Sequence, residues 1–168
     1  MPITTRNPTA NETPDSGQGG IAVSGNTNTG HGSTALSASG GDTSFATCLW
    51  TSFPSVGGQI LSAKLKADWS QSGSLTGGGF RSNGFAVEYS LNNGSTWNFL
   101  FNHTDITSSS SGSDEVSLST SQDLTQVRLR DSLTVAANVG NSAQVTASIS
   151  NIRIEVITQD QTHLLVMM

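Results

Sequence analysis

The sequence predicts an all-β protein, a two-sheet antiparallel β-sandwich preceded by an extended N-terminal arm. Three observations predict it. Apolar and polar residues alternate through most of residues 43–157, the two-residue period of strands with one buried face. No apolar stripe with a helical period is sustained anywhere in the chain. The third is residues 85–101, FAVEYSLNNGSTWNFLF, where two alternating runs flank Asn-Asn-Gly and so spell a β-hairpin.

Composition supports one domain with one core. The chain has 168 residues, 34% hydrophobic and 11% charged, and is rich in Gly, Ser, Thr and Asn, which suits strands and turns. Its net charge of −5, with Arg and Lys scattered, argues against a nucleic-acid partner, which needs a clustered basic surface. No apolar run approaches the length of a membrane span, so no membrane partner is expected, and residues 1–20 lack the apolar stretch of a Sec signal. The single Cys48 excludes an internal disulfide and reads as a small buried hydrophobe.

Residues 1–42 hold three of the four prolines and few bulky apolar side chains, chiefly Ile21, Val23 and Leu36. Such a segment cannot make its own core. It is expected to be disordered, or extended along a neighbouring subunit with Ile21 and Val23 as assembly contacts. Residues 45–50 are apolar on both faces, as in a strand covered on both sides or one at a subunit contact. Residues 60–70 alternate, with Leu61, Ala63, Leu65, Ala67 and Trp69 inward and Ser62, Lys64, Lys66 and Asp68 outward. Residues 73–84, with Gly77-Gly78-Gly79, read as a long loop. In the hairpin, Phe85, Val87 and Tyr89 share the inner face with Trp97, Phe99 and Phe101, while Asn93-Gly94 supply the positive φ angles of the turn.

Residues 103–114 read as a Ser-rich loop, followed by short strands at 115–119 and 126–135. Arg128 and Arg130 belong to a solvated strand face with acidic partners such as Asp131 or Glu155. In the last strand, residues 143–157, Val145, Ala147 and Ile149 keep one phase and Ile152, Ile154 and Val156 the other. A β-bulge or corner at Ser150-Asn151 is required. Residues 158–168 form an apolar tail expected either to add a strand to the chain's own sheet or to dock on another chain, with Leu164, Leu165 and Val166 as a second set of assembly contacts.

Two short stretches resemble known modules. Ser90-Leu91-Asn92-Asn93-Gly94-Ser95-Thr96-Trp97 resembles the Asp-box, Ser-X-Asp-X-Gly-X-Thr-Trp, of sialidase propellers and of bacterial jelly-roll modules, with Asn92 at the Asp position. Asn keeps the acceptor that holds the loop, so Ser90, Asn92, Gly94 and Trp97 are assigned a structural role. The box occurs once, in a chain too short for a propeller, and sialidase activity is rejected. Residues 150–156, SNIRIEV, are similar to the closing strand of carbohydrate-binding jelly rolls. The resemblance implies a sandwich of jelly-roll type, and such modules often hold a structural calcium, for which Asp42, Asp114 and Asp131 are available.

No catalytic constellation emerges. His31, His103 and His163 have no metal-ligand spacing, no Gly-X-Ser-X-Gly elbow is present, and the adjacent Asp114 and Glu115 point to opposite faces of a strand. No catalytic residue, metal site or cofactor is therefore assigned. A sugar site needs an aromatic platform beside planar polar groups; Trp69 and Trp97 fall on inward phases, which leaves Trp50 and Phe53 as the aromatic surface. The expected function is a non-catalytic structural component of a larger assembly, a phage virion accessory protein of decoration, head-fibre or tail-associated kind. It would form homo-oligomers and meet other structural subunits through arm and tail. The alternative is a carbohydrate-binding module of an extracellular bacterial protein, with a glycan as partner.

Overall fold

The computed structural model describes residues 3–8, 10–11, 15–16, 25–26, 30–31, 34–39, 43–51, 53–76 and 80–159, those at 10–51, 75–76 and 80–82 by backbone alone. The strands in chain order are β1 (Ile3–Arg6), β2 (Ala10–Asn11), β3 (Asp15–Ser16), β4 (Gly25–Asn26), β5 (Gly30–His31), β6 (Thr34–Ser39) and β7 (Thr43–Thr51). There follow β8 (Ile60–Thr76), β9 (Phe80–Ser90), β10 (Asn98–Thr104), β11 (Ser110–Leu118), a 3₁₀ turn at Leu124–Gln126, β12 (Arg128–Ala137) and β13 (Ser142–Thr158).

These strands build the expected two-sheet antiparallel sandwich. In the first sheet β11, β8 and β13 lie side by side, and β6, β5 and β1 line up along the other edge of β13, with β4 beyond β5. The second sheet runs β10, β9, β12, β7, with β2 and β3 on the far edge of β7. The described parts of residues 1–42 thus pair with the chain's own sheets, Ile3 opposite Ile157 and Ser39 opposite Ser142. The boundary drawn at residue 42 does not divide the sheets. Ile21 and Val23 lie outside the described residues, as do Leu164, Leu165 and Val166.

The core fills the space between the sheets by simple alternation. Ala63, Leu65 and Ala67 of β8 meet Phe85 and Val87 of β9, Leu129, Leu133 and Val135 of β12, and the inward residues of β13, all nearly without exposure. Asp131 also takes an inward position in β12 and is buried, not on the solvated face the sequence suggested, while Arg130 on that face pairs with Glu88. Along β13 the buried set passes from Val145, Ala147 and Ile149 to Ile152, Ile154 and Val156, and the register with β8 shifts between Ser150 and Arg153. Asn151 adopts φ 51° there, the expected bulge, in a conformation that Asn tolerates better than most residues.

Other bulges overrule strict alternation. Ile157 pairs with Ser62 and Thr158 with Ile60, so Leu61 is the extra residue and is 40% exposed rather than inward. Two expected loops are mostly strand. β8 continues to Thr76 and β9 starts at Phe80, while β10 reaches Thr104 and β11 starts at Ser110. Their Ser and Gly residues read as loop in isolation, but they are held extended by the neighbouring strands.

Candidate functional site

The hairpin between β9 and β10 is pinned by its own side chains. Ser90, fully buried, accepts from the backbone N–H of Gly94 at 2.8 Å and donates to Asn92 Oδ1 at 2.9 Å. Asn92 Oδ1 also accepts from Thr96 N–H at 2.9 Å, and its Nδ2 donates to the Thr96 hydroxyl at 2.9 Å. Asn93 and Gly94 have φ of 59° and 88°. The loop is longer than a two-residue turn, because β10 begins at Asn98. Trp97 therefore precedes the strand and is not bound to its inward phase; it is half-buried and lies outside the core, a correction to the expected core tryptophan.

Beyond the loop, a single bulge turns an aromatic ring outward. Phe99 pairs with Glu88 and Phe101 with Val87, leaving Leu100 as the extra residue. Phe101 consequently enters the core, whereas Phe99, expected inward, is 58% exposed on the outer face. Glu88 is also the register partner of Arg130, whose Nε donates to Glu88 Oε2 at 2.6 Å. The guanidinium of Arg130 lies over Trp97, 4.2 Å from the ring centroid. Phe99, Glu88 and Arg130 form one row across β10, β9 and β12, with Trp97 supporting its cationic end. An aromatic surface beside two planar polar groups held in place suits stacking and hydrogen bonding to a ring with hydroxyl groups. Arg128, by contrast, turns to the carbonyls of Thr125 and Val127, at 2.7 and 2.8 Å.

Of the two aromatic residues assigned from sequence, Phe53 is overturned by its burial. Phe53 is 1% exposed, part of the core, and offers no surface; Trp50 is described by its backbone alone, opposite Leu129. Phe99 was missed because only the bulge at Leu100, which depends on the β9 register, takes it out of the core face.

A second cluster lies where β8, β10 and β11 meet. Trp69 donates its indole N–H to Asp114 Oδ2 at 2.6 Å and packs edge-on against His103, with ring centroids 4.4 Å apart. His103 stacks on Phe101 at 4.8 Å. Its Nδ1 and Gln71 Oε1 are 2.9 Å apart, and Gln71 Nε2 donates to Ser110 Oγ at 3.1 Å. Trp69 can lie against β11 because Gly112 faces it: a Cβ there would stand 2.7 Å from Trp69 Cζ2. Next to this cluster is an open hollow of about 400 Å³ lined by Gln71, Ser110 and five further Ser and Thr residues.

Nothing in these arrangements activates a nucleophile. His103 bonds the amide of Gln71 rather than a serine, and among the described residues no three His, Cys, Asp or Glu side chains are grouped to hold a metal. Of the carboxylates considered for calcium, Asp114 is bonded to Trp69, Asp131 is in the core of the other sheet, and Asp42 lies outside the described residues.

No family model and no curated protein matches the chain. Among solved structures it is similar to a CBM4 structure at 7% identity, covering 92% of this chain and 94% of that one, with TM-score 0.38. A family 11 carbohydrate-binding module of a cellulosomal cellulase of Clostridium thermocellum follows at 12% identity, covering 96% and 91%, with TM-score 0.33. The enzymatically active domain of tailspike protein 4 of bacteriophage CBA120 matches at 9% identity and TM-score 0.37, covering 92% of this chain and 19% of that one. Likenesses this distant do not bear on function.

Proposed function

We propose that the chain is a non-catalytic β-sandwich that binds carbohydrate and serves as one component of a larger assembly. The observation that carries the reading is the outward row Phe99, Glu88 and Arg130, with Trp97 beneath the guanidinium. A solvent-facing phenylalanine is otherwise a cost in a sheet whose remaining large apolar side chains are mostly turned inward. The row offers what a sugar ring needs: an aromatic face for its C–H groups, and a guanidinium and a carboxylate fixed against each other for its hydroxyls.

A glycan array tests this. The full chain should retain a defined set of glycans, and Phe99→Ala and Arg130→Ala should each lose them while thermal unfolding stays close to that of the unmodified protein. Retention unchanged in both variants overturns the assignment.

A second reading concerns the assembly itself: an accessory subunit of a phage virion, of decoration, head-fibre or tail-associated kind, forming homo-oligomers through Ile21, Val23, Leu164, Leu165 and Val166. It is favoured by the polar, glycine-rich composition of residues 1–42 and the apolar run at residues 164–168. Light scattering should show a defined oligomer that falls to monomer when residues 161–168 are removed. A monomer in both forms overturns it.

A further inference from the structure

On its outer face the hollow beside β8 is built from hydroxyl groups and carries no charge. Ser70 and Ser72 of β8 alternate with the inward Trp69, Ser111 is the partner of Ser70 on β11, and Thr146 is the partner of Ser72 on β13. Ser70 and Ser148 share a hydrogen bond of 2.9 Å, which confirms that these side chains stand on one face. Gln71 and its partner Ser110 also line the hollow, but they lie on the inward phase of Trp69 and turn their side chains to the other face. The volume, about 400 Å³, is within the range of small-ligand sites, roughly 300–1,000 Å³.

On the inward side of the same strand the polar groups satisfy one another. An amide oxygen only accepts, so Nδ1 of His103 must carry the proton that it shares with Gln71 Oε1. Gln71 Nε2 in turn donates to Ser110 Oγ, which leaves the outward hydroxyls of Ser70, Ser72, Ser111 and Thr146 to define the hollow. Ser and Thr hydroxyls both donate and accept, and so do the hydroxyls of a sugar or polyol. An ion entering the same hollow would lose hydration and find no countercharge among the lining residues.

We infer that the Ser70–Ser72–Thr146 hollow is a second binding site, for an uncharged polyhydroxy ligand such as a neutral sugar ring, on the opposite outer face from Phe99. This rests on the glycan reading given above for its choice of ligand class. With one site on each sheet, a single chain bridges two glycan strands, and binding to a multivalent surface gains by effective concentration.

The experiment is titration of the full chain with neutral tetrasaccharides of glucose, mannose, galactose and N-acetylglucosamine, followed by calorimetry and by amide chemical shifts. Thr146→Trp fills the hollow from an outward position, Ser72→Trp does so from the neighbouring strand, and Phe99→Ala removes the other site; circular dichroism confirms the fold of each. The expected result is two equivalents bound, one equivalent in either hollow-filling variant and one in Phe99→Ala.

A single equivalent that disappears in Phe99→Ala and is untouched by both tryptophan variants overturns the second site and leaves the first standing. Binding abolished by the tryptophan variants and indifferent to Phe99→Ala removes the first site and keeps the hollow. Tighter binding of a uronic-acid tetrasaccharide than of any neutral one, with shifts at Ser70 and Ser72, overturns the assignment to uncharged ligands. No binding of any tetrasaccharide overturns both readings.

Discussion

The outer face of the first sheet has two halves carried by the same three strands, and they are made differently. Toward the start of β8 it is a ladder of opposite charges: Glu115 takes Lys64 and, at 3.1 Å, Lys66; Lys66 reaches Glu155 at 2.8 Å; Glu155 takes Arg153 at 3.0 Å. Asn151 donates to Asp68 at 2.7 Å and closes the ladder. Two residues further on, the same face holds only hydroxyls around the hollow. In the charged half each group is satisfied by its neighbours in register, so little is left for a partner. In the hydroxyl half Ser70 pairs with Ser148, and water on the remaining hydroxyls is what a ligand with hydroxyls of its own can replace at little cost. On the reading proposed above, the charged half of this sheet holds register and the uncharged half is where a ligand binds.

The contrast has a counterpart underneath. Below the ladder lie Leu65, Ile154 and Val156, without exposure, whereas below the hollow the packing rests on Trp69 seated over Gly112. The largest effect should come from the first: Leu65→Ala is expected to cost about 2–5 kcal/mol in chemical denaturation. A loss below that range would mean that the core is not centred under the ladder. Next, Gly112→Val should cost about 1–3 kcal/mol through overpacking against the indole and change the tryptophan emission. Unchanged emission would break the link between Gly112 and Trp69.

The ladder itself is tested by acid. Hydrogen bonds from Lys64 and then Lys66 hold Glu115 below the usual carboxylate range, and those from Lys66 and Arg153 do the same for Glu155. At Asp68 burial opposes ionisation, yet Asn151, Ser113 and the charge of Arg153 still leave its pKa lowered. Each of these folded values is below the unfolded one, so the contribution is present at neutral pH and is lost as pH falls through the folded pKa. Lys66 is raised, chiefly by Glu155 and then Glu115, so its share is lost only as pH climbs past its ordinary value of 10.5. Denaturation midpoints of the double variant Glu115→Gln, Glu155→Gln should decline less between neutral and acid pH than those of the unmodified chain; parallel decline would mean the ladder is inert. The smallest effect belongs to the other half, where Ser72→Ala should change stability by less than about 0.5 kcal/mol, since an outward hydroxyl supports no core contact.

Much of this architecture can be read from sequence, and the failures have physical causes. The β13 phase change at Ser150-Asn151 is visible because a two-residue period reverses within one run of apolar residues. The bulges at Leu61 and Leu100 are not, because each adjoins further apolar residues, Ile60 in one case and Phe99 and Phe101 in the other, and only the partner strand fixes the register. Leu100 decides the candidate site: without its bulge, Phe99 and Phe101 would share a face and Phe99 would be core. Serine and glycine mislead for a similar reason. Ser70, Ser72 and Ser111 have no apolar signal of their own, and the hollow they form exists only once β8 is flanked by β11 and β13. Asn92, in contrast, performs locally, with Ser90 and Thr96, the loop-holding part that its place in the eight-residue pattern suggests.

The pairing of Ile3 with Ile157 has a consequence for how the protein is made. β1 and β6 share one edge of β13, so residues translated early have to wait for a strand translated late. That edge cannot be completed on the ribosome until the β13 segment has emerged. Contacts of such long sequence separation also belong to slow-folding topologies. During that interval β6 and β1 are unpaired edge material, and their short length and polar flanks limit what they could wrongly join. The sandwich is therefore sealed last along the edge that its earliest strands provide.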